Sequence, residues 1–321
     1  MSVYRKKTSV RILSVIFALI LILGACQSCT TPSEQQEIQT VAYTDALGRN
    51  VKLPKNPLRV AALLGSFADV WTLAGGRLVA AAEDAAEDFG LPMEGIINLG
   101  GAHSPSLEAL ISANPDLVLA SASTASNVAM REALEAIGIP VVYFNVDHFG
   151  DYLQMLDVCT DLTGRKDLYL QNGVQIEEQI QQVKREFAAL NLPESERTVL
   201  LLRASSGFVK AKGSSGTILG EMLADMGCVN IADSDTSLLE NLSIEGILRQ
   251  NPNRIFAVTM GNDTEAAIQN LFDLLHNNPA WASLEAVQEN RVFVMEKQLF
   301  NLKPNARWGL AYETLYETFT K

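Results

Sequence analysis

Ser106-Leu107-Glu108-Ala109-Leu110-Ile111-Ser112-Ala113-Asn114-Pro115 runs straight into Asp116-Leu117-Val118-Leu119. A second stretch, Ser243-Ile244-Glu245-Gly246-Ile247-Leu248-Arg249-Gln250-Asn251-Pro252, leads in the same way to Ile255-Phe256-Ala257-Val258. Both follow the pattern Ser-x-Glu-x-x-(Leu/Ile)-x-x-x-Asn-Pro, and each reads as a short helix, a proline stop and a buried strand. Ser106 and Ser243 suit the N-cap, so each glutamate falls in a first helical turn and points outward. Their separation is close to the length of one α/β lobe, so the repeat describes two equivalent lobes, each with one acidic knob. A first-turn glutamate also has a local use, because it interacts with the helix dipole by roughly 0.3–1 kcal/mol. Duplicated architecture would repeat that feature without any partner. The repeat therefore speaks for duplication first, and a docking role needs something more.

Working outward, the chain has 321 residues, enough for two lobes that each hold a core. Apolar residues make up 48% and charged residues 19%, the balance of a folded globular protein. A net charge of −12 disfavours nonspecific binding to nucleic acid or anionic lipid. The N-terminus is a targeting segment. Arg5, Lys6, Lys7 and Arg11 precede an apolar run from Ile12 to Leu23, too short for an ordinary membrane span but suited to a signal peptide. The run closes in Leu23-Gly24-Ala25-Cys26, which resembles a bacterial lipobox with Cys26 as the lipidated thiol. Cys29 is too near the tether to staple a core, and Cys159 and Cys228 sit in apolar helical contexts as buried thiols.

From residue 58 short apolar runs alternate with helical patterns, the signature of a mainly parallel sheet. The organisation read from this is a signal peptide over 1–25, a tether over 26–42, an N-terminal αβ lobe over 43–163, a connecting helix over 164–195 and a C-terminal αβ lobe over 196–321. The Gln- and Glu-rich stretch over 166–190 forms the connector. A helical connector is stiffer than a pair of loose strands, so lobe closure is expected to be small.

Three segments carry a family resemblance. Thr44-Asp45-Ala46-Leu47-Gly48-Arg49 is followed by Leu53-Pro54-Lys55-Asn56-Pro57-x-Arg59-Val60. Leu107-Glu108-Ala109-Leu110 continues to Pro115-Asp116-Leu117-Val118. Asn278-Pro279-Ala280-Trp281 precedes Ala286-Val287 and Arg291-Val292-Phe293. In this order and spacing they resemble the iron-complex and vitamin B12 class of bacterial ABC-transporter substrate-binding proteins, over about residues 43–320. The resemblance implies an α/β fold of two αβ lobes joined by one long helix, with the ligand cleft between them, like class III periplasmic binding proteins. It implies that Glu108 and Glu245 are lobe-top carboxylates meeting arginines of a membrane permease, with a pair of knobs fixing register as well as attraction.

In open parallel sheets ligands bind beyond the carboxyl ends of the strands. Applied strand by strand, that rule selects Ser66 and Phe67, His148, Arg203, Lys297, Lys303 and Arg307, with His103 in the loop before the first glutamate helix. The cations suit carboxylates, catecholates or a propionate, because Arg offers a planar bidentate fork. Against this, Glu83, Asp84, Glu87 and Asp88 reach the same cleft edge and leave the ligand's charge open. His103 and His148 offer imidazole nitrogens to haem iron or a ferric centre, while the plainer reading is polar-loop histidines. Three scattered histidines do not make a dedicated metal cage. Gly213-Ser214-Ser215-Gly216-Thr217 reads as a plain helix start sooner than an anion loop.

The resulting expectation is a binding protein without intrinsic cofactor, not an enzyme. It is a monomeric lipoprotein on the extracytoplasmic face of the cell membrane that delivers a metal complex to an ABC permease and its ATPase. A ferric siderophore is the first candidate cargo, with haem or a corrinoid as the alternative. A hydrolase using Ser66 or Ser121 beside His103 is a distant rival, since no nucleophile elbow or zinc-protease helix is present.

Overall fold

A computed structural model describes residues 39–261 and 263–320. The stretch read as a signal peptide, together with Cys26 and Cys29, lies outside the described residues. An antiparallel hairpin, β1 (Thr40–Thr44) and β2 (Asn50–Pro54), leads into a five-stranded parallel sheet. Its strands are β3 (Val60–Ala62), β4 (Leu78–Ala81), β5 (Ile97–Asn98), β6 (Leu117–Ser121) and β7 (Val141–Phe144), in the order β5-β4-β3-β6-β7. The crossovers include α1 (Gly65–Leu73), α2 (Asp84–Glu87) and α3 (Leu107–Ser112), and β7 is followed by α4 (Phe149–Thr163). Strands β6 and β7 are buried along their whole length, which is why they read as continuous apolar runs rather than alternating ones.

The connector is helical but not uniform. An α-helical turn over Lys166–Tyr169 passes through a π-helical turn, Leu170–Val174, into α5 (Gln175–Ala189). The Tyr152 hydroxyl donates to the Asn172 carbonyl within that π turn at 2.7 Å. The second sheet holds β8 (Thr198–Ala204), β9 (Val209–Lys212), β10 (Val229–Asn230), β11 (Arg254–Thr259) and β12 (Val292–Met295). Its order is β10-β8-β11-β12, with β9 pairing antiparallel to β8. Helices α6 (Ile218–Asp225) and α7 (Ile244–Gln250) flank it, and α8 (Trp308–Thr320) ends the described chain.

The repeated motif has a local physical cause in both copies. Asn114 and Asn251 take left-handed backbone at φ 45° and 42°, a conformation asparagine tolerates, and the following proline cannot continue the helix. In the first copy Arg59 caps the helix, donating to the Ala113 and Asn114 carbonyls at 2.6 and 2.9 Å. Asp116 accepts from the Leu58 and Arg59 amides at 2.8 and 3.0 Å. The opening segment and the first glutamate motif are thereby one structural unit.

One apolar core runs through both sheets. Leu117, Leu119 and Phe144 of the first sheet join Ile180, Val183 and Phe187 of α5, Trp308 and Phe319 of α8, and Leu201, Phe256 and Val258 of the second sheet. Phe187 and Phe319 meet edge to face at 5.0 Å between centroids. Separate clusters cover the outer faces of the two sheets. Swinging one lobe far from the other would expose part of the shared core.

Candidate functional site

The second sheet presents an unusual hairpin. Arg203 lies opposite Lys210, and Leu201 opposite Lys212, on the antiparallel β8–β9 ladder. Alternation puts Arg203, Lys210 and Lys212 on one face, while Leu202 and Ala211 enter an outer apolar cluster on the other. Like charges directly opposite one another on a ladder are destabilising. Among the described residues no carboxylate pairs with any of the three. The Arg203 Nε is buried without a hydrogen-bond partner, and burial lowers the guanidinium pKa. The Lys212 ammonium is lowered too, by burial first and then by Arg203 and Lys210. Lys210 rests over the Phe208 ring at 5.2 Å.

The other expected cations are already answered by acids. After β12 the chain crosses back to the carboxyl ends of the first sheet, where Lys297 Nζ meets Asp88 Oδ1 at 3.0 Å. Lys303 is partly buried, which lowers its pKa, and Asp147, Asp151 and Asp84 oppose that shift. Arg307 lies near Asp69, whose carboxyl is raised by burial and drawn back down by the Asn305 hydrogen bond and by Arg307. The acidic loop that left the ligand's charge open thus belongs with these cations. Asp84 has a further task, accepting the Gly65 amide at 2.9 Å. A Cβ on Gly65 would stand 2.5 Å from the Asp84 carbonyl carbon, so only glycine lets these two loops approach.

Asn305 pins the crossing segment. It is fully buried at φ 53°, and its Nδ2 donates to the Ser66 carbonyl at 2.9 Å and to Asp69 Oδ2 at 2.8 Å. Nothing in the sequence singled it out, because an asparagine ten residues beyond a strand carries no periodic signal. Lys210 and Lys212 were legible as an alternating pair in Val209-Lys210-Ala211-Lys212, once that run is read as a strand.

Phe67 corrects the expectation of an aromatic cleft contact. It is fully buried and packs edge-on to Phe144 at 6.1 Å, because α1 starts at Gly65 and turns the ring into the core. Ser66 is buried beside it. His103 is exposed in its loop, whereas His148 is the N-cap of α4, its Nδ1 accepting from the Asp151 amide at 3.3 Å. Ser121 Oγ shares a hydrogen bond with Ser123 Oγ at 3.1 Å, not with a histidine. Among the described residues no cluster of His, Cys, Asp or Glu is arranged to hold a metal ion.

Two cavities border α6. One of about 420 Å³ lies between the lobes, against His148, Phe149, Glu221, Trp308 and Tyr312. The other, about 900 Å³, is lined by Lys210, Lys212 and the loop Gly213 to Thr217. That loop's amides are used internally, Ser214 N–H by Asp233 at 2.7 Å and Gly216 N–H by Glu221 at 3.1 Å. Its helix-start role therefore prevails over anion capture. The two glutamates are exposed in the first turns of α3 and α7, where Ser106 and Ser243 accept the Ala109 and Gly246 amides at 3.2 and 3.4 Å.

The profile of the periplasmic binding protein family matches residues 64–299, well over half of the chain. The chain belongs to this family. YhfQ of Bacillus subtilis, named as an ABC transporter substrate-binding lipoprotein, is 22% identical over 315 residues, covering 93% of each chain. The iron-uptake system-binding protein of the same organism is 23% identical over 209 residues, 65% of this chain and 62% of that one. Among solved structures, Staphylococcus aureus SirA complexed with staphyloferrin B superposes with a TM-score of 0.68 at 18% identity, covering 88% of this chain and 99% of that one. The vitamin B12 binding protein BtuF of Vibrio cholerae gives 0.67 at 18% identity, covering 83% and 98%. These likenesses share the α/β fold of class III periplasmic binding proteins, two lobes bridged by helix with a cleft between. No described helix is long and apolar enough to cross a membrane.

Proposed function

We propose that this family member is the substrate-capturing lipoprotein of an ABC importer, anchored through Cys26 on the extracytoplasmic face of the membrane. Its cargo is an anionic metal complex, a ferric siderophore first. The observation that carries the anionic assignment is the trio Arg203, Lys210 and Lys212, without a carboxylate partner among the described residues, on one face of the β8–β9 ladder, with Lys210 and Lys212 lining a cavity of about 900 Å³. A carboxylate or catecholate cargo supplies the charge that these side chains lack, and Arg203 offers it a fork of donors. Lys297, Lys303 and Arg307 then serve the lobe junction more than the cargo. Names among the relatives, an iron-uptake binding protein and an iron(3+)-hydroxamate-binding protein, favour an iron complex as cargo, while its negative charge is argued from the cations alone. Haem is the second reading, and it rests on His103, whose exposed imidazole has no partner among the described residues, while His148 is engaged as a helix cap. Loaded protein reaches the permease and its ATPase through Glu108 and Glu245, and acts as a monomer.

Thermal unfolding of the protein from Thr30 onward, against ferric siderophores, haem and cobalamin with metal-free controls, tests the cargo. A ligand at a hundred times its Kd adds about 2.7 kcal/mol, which moves the midpoint by several degrees. A shift with an anionic ferric complex is the expected result, and a shift with cobalamin alone would overturn the anionic assignment.

The depressed Lys212 makes the affinity pH-dependent. A bound anion returns the ammonium toward its ordinary value, so binding takes up a proton wherever pH exceeds the depressed value. Affinity is expected to fall as pH rises through the depressed value toward the ordinary lysine value of 10.5. Calorimetric titration across that range should show the slope, and Lys212→Met should flatten it.

A further inference from the structure

The two glutamate helices share more than their glutamate. One turn beyond each acid stands an aliphatic side chain left in water: Ile111 is 42% exposed and Leu248 38%. Both occupy the position three residues after the glutamate, so acid and aliphatic lie on one helical face. The preceding residue in each copy, Leu110 or Ile247, is fully buried and already anchors its helix to the lobe. Between the copies the surrounding residues differ freely, Ala109 against Gly246, Ser112 against Arg249, Ala113 against Gln250. A single exposed aliphatic needs no explanation. The same exposure at the equivalent position of both lobes, each time beside an acid with no ion-pair partner among the described residues, is a repeated surface.

We infer that each lobe carries a two-part docking knob, Glu108 with Ile111 and Glu245 with Leu248, and that its partner is the permease. The inference rests on the reading of Glu108 and Glu245 as docking residues. An exposed ion pair in water holds little by itself. An apolar contact beside it keeps water out and strengthens the pair, as in the cores of protein interfaces. The matching surface on each half of the permease is an arginine or lysine with an apolar socket about 5 Å along the knob's helix axis. The knobs differ in one charge. Arg249 follows Leu248, is 75% exposed and points to Asp235 at 3.4 Å, whereas Ser112 holds the equivalent place in the other lobe. That difference lets the permease tell the lobes apart.

The test uses the full chain as the sole copy in iron-starved cells. The probes are radioiron-labelled ferric citrate, a radioiron-labelled ferric hydroxamate, labelled haem and labelled cyanocobalamin. Ile111→Ser and Leu248→Ser are each expected to slow import several-fold, and the pair by about tenfold or more. The purified variants should keep their unfolding temperature and their affinity for the imported probe, and Ile111→Val with Leu248→Ile should restore import. Wild-type import by the Ser pair, with import lost in Glu108→Ala plus Glu245→Ala, would overturn the aliphatic half and leave the glutamates docking alone. Undiminished import by the glutamate pair would overturn the docking reading itself, and this inference with it. Loss of stability or probe affinity in the Ser pair would assign Ile111 and Leu248 to the fold instead. Should the unaltered chain import none of the probes, the importer reading falls and takes the knobs with it.

Discussion

Arg203→Met is expected to raise the unfolding temperature of the ligand-free protein and, in the same variant, to remove tight binding of an anionic cargo. The two effects have one cause. In the free protein Arg203 faces Lys210 across the ladder, near Lys212, and its Nε is buried without a partner. Such an arrangement costs stability, because the guanidinium has lost water and, among the described residues, faces like charges without a carboxylate. Methionine keeps much of the volume and removes the charge, a gain of about 1 kcal/mol after solvent screening, or roughly 2–4 °C. With cargo bound the balance reverses, and truncating one side of a buried charge pair costs about 2–5 kcal/mol of affinity. Differential scanning calorimetry without ligand and titration with a ferric siderophore measure the two sides separately. Arg203→Lys should fall between, since it keeps the charge but not the fork. An Arg203→Met protein that is both less stable and still tight-binding would show that the side chain serves the fold.

Asn305→Leu should produce the largest loss of stability. The substitution leaves the buried Ser66 carbonyl and the partly buried Asp69 carboxylate without their shared donor. It also asks leucine to hold φ 53°, a left-handed conformation. An unsatisfied buried acceptor costs about 1–3 kcal/mol, and more when charged, so the total is about 3–5 kcal/mol. For a protein of this size that lowers the midpoint by roughly 10 °C. The loss should depend on pH in a defined direction. The folded Asp69 pKa already lies above its ordinary value through burial, and losing Asn305 raises it further. A raised carboxyl costs stability only while ionised, so the deficit is largest at neutral pH and shrinks as pH falls through the raised value. A deficit that grew with acidity would exclude Asp69 as its source.

Both predictions turn on residues whose neighbours come from distant parts of the chain, and this marks how far the sequence could be read. The duplicated Ser-x-Glu helices, with their asparagine turns and proline stops, are local features, set by caps and backbone preferences within about ten residues. Strand content followed from runs such as Leu117 to Ala120 and Val141 to Phe144, whose burial on both faces permits almost nothing but apolar side chains. The π turn at Leu170–Val174 had no signal, since the amphipathic pattern on either side continues as in an ordinary helix.

The sequence by itself determined the two α/β lobes, their order, the helical bridge and where the strands end. Those follow from periodicities of two and 3.6 residues and from short-range caps. Tertiary structure alone decided which charges at those strand ends remain unanswered. Lys297 met Asp88, Lys303 came to face Asp84, Asp147 and Asp151, and Arg307 came near Asp69, each across more than a hundred residues of chain. Among the described residues Arg203 found lysines and no carboxylate. Charge is written in the sequence residue by residue, but its neutralisation depends on distance, which the chain acquires only when the crossing segment after β12 folds back on the first sheet.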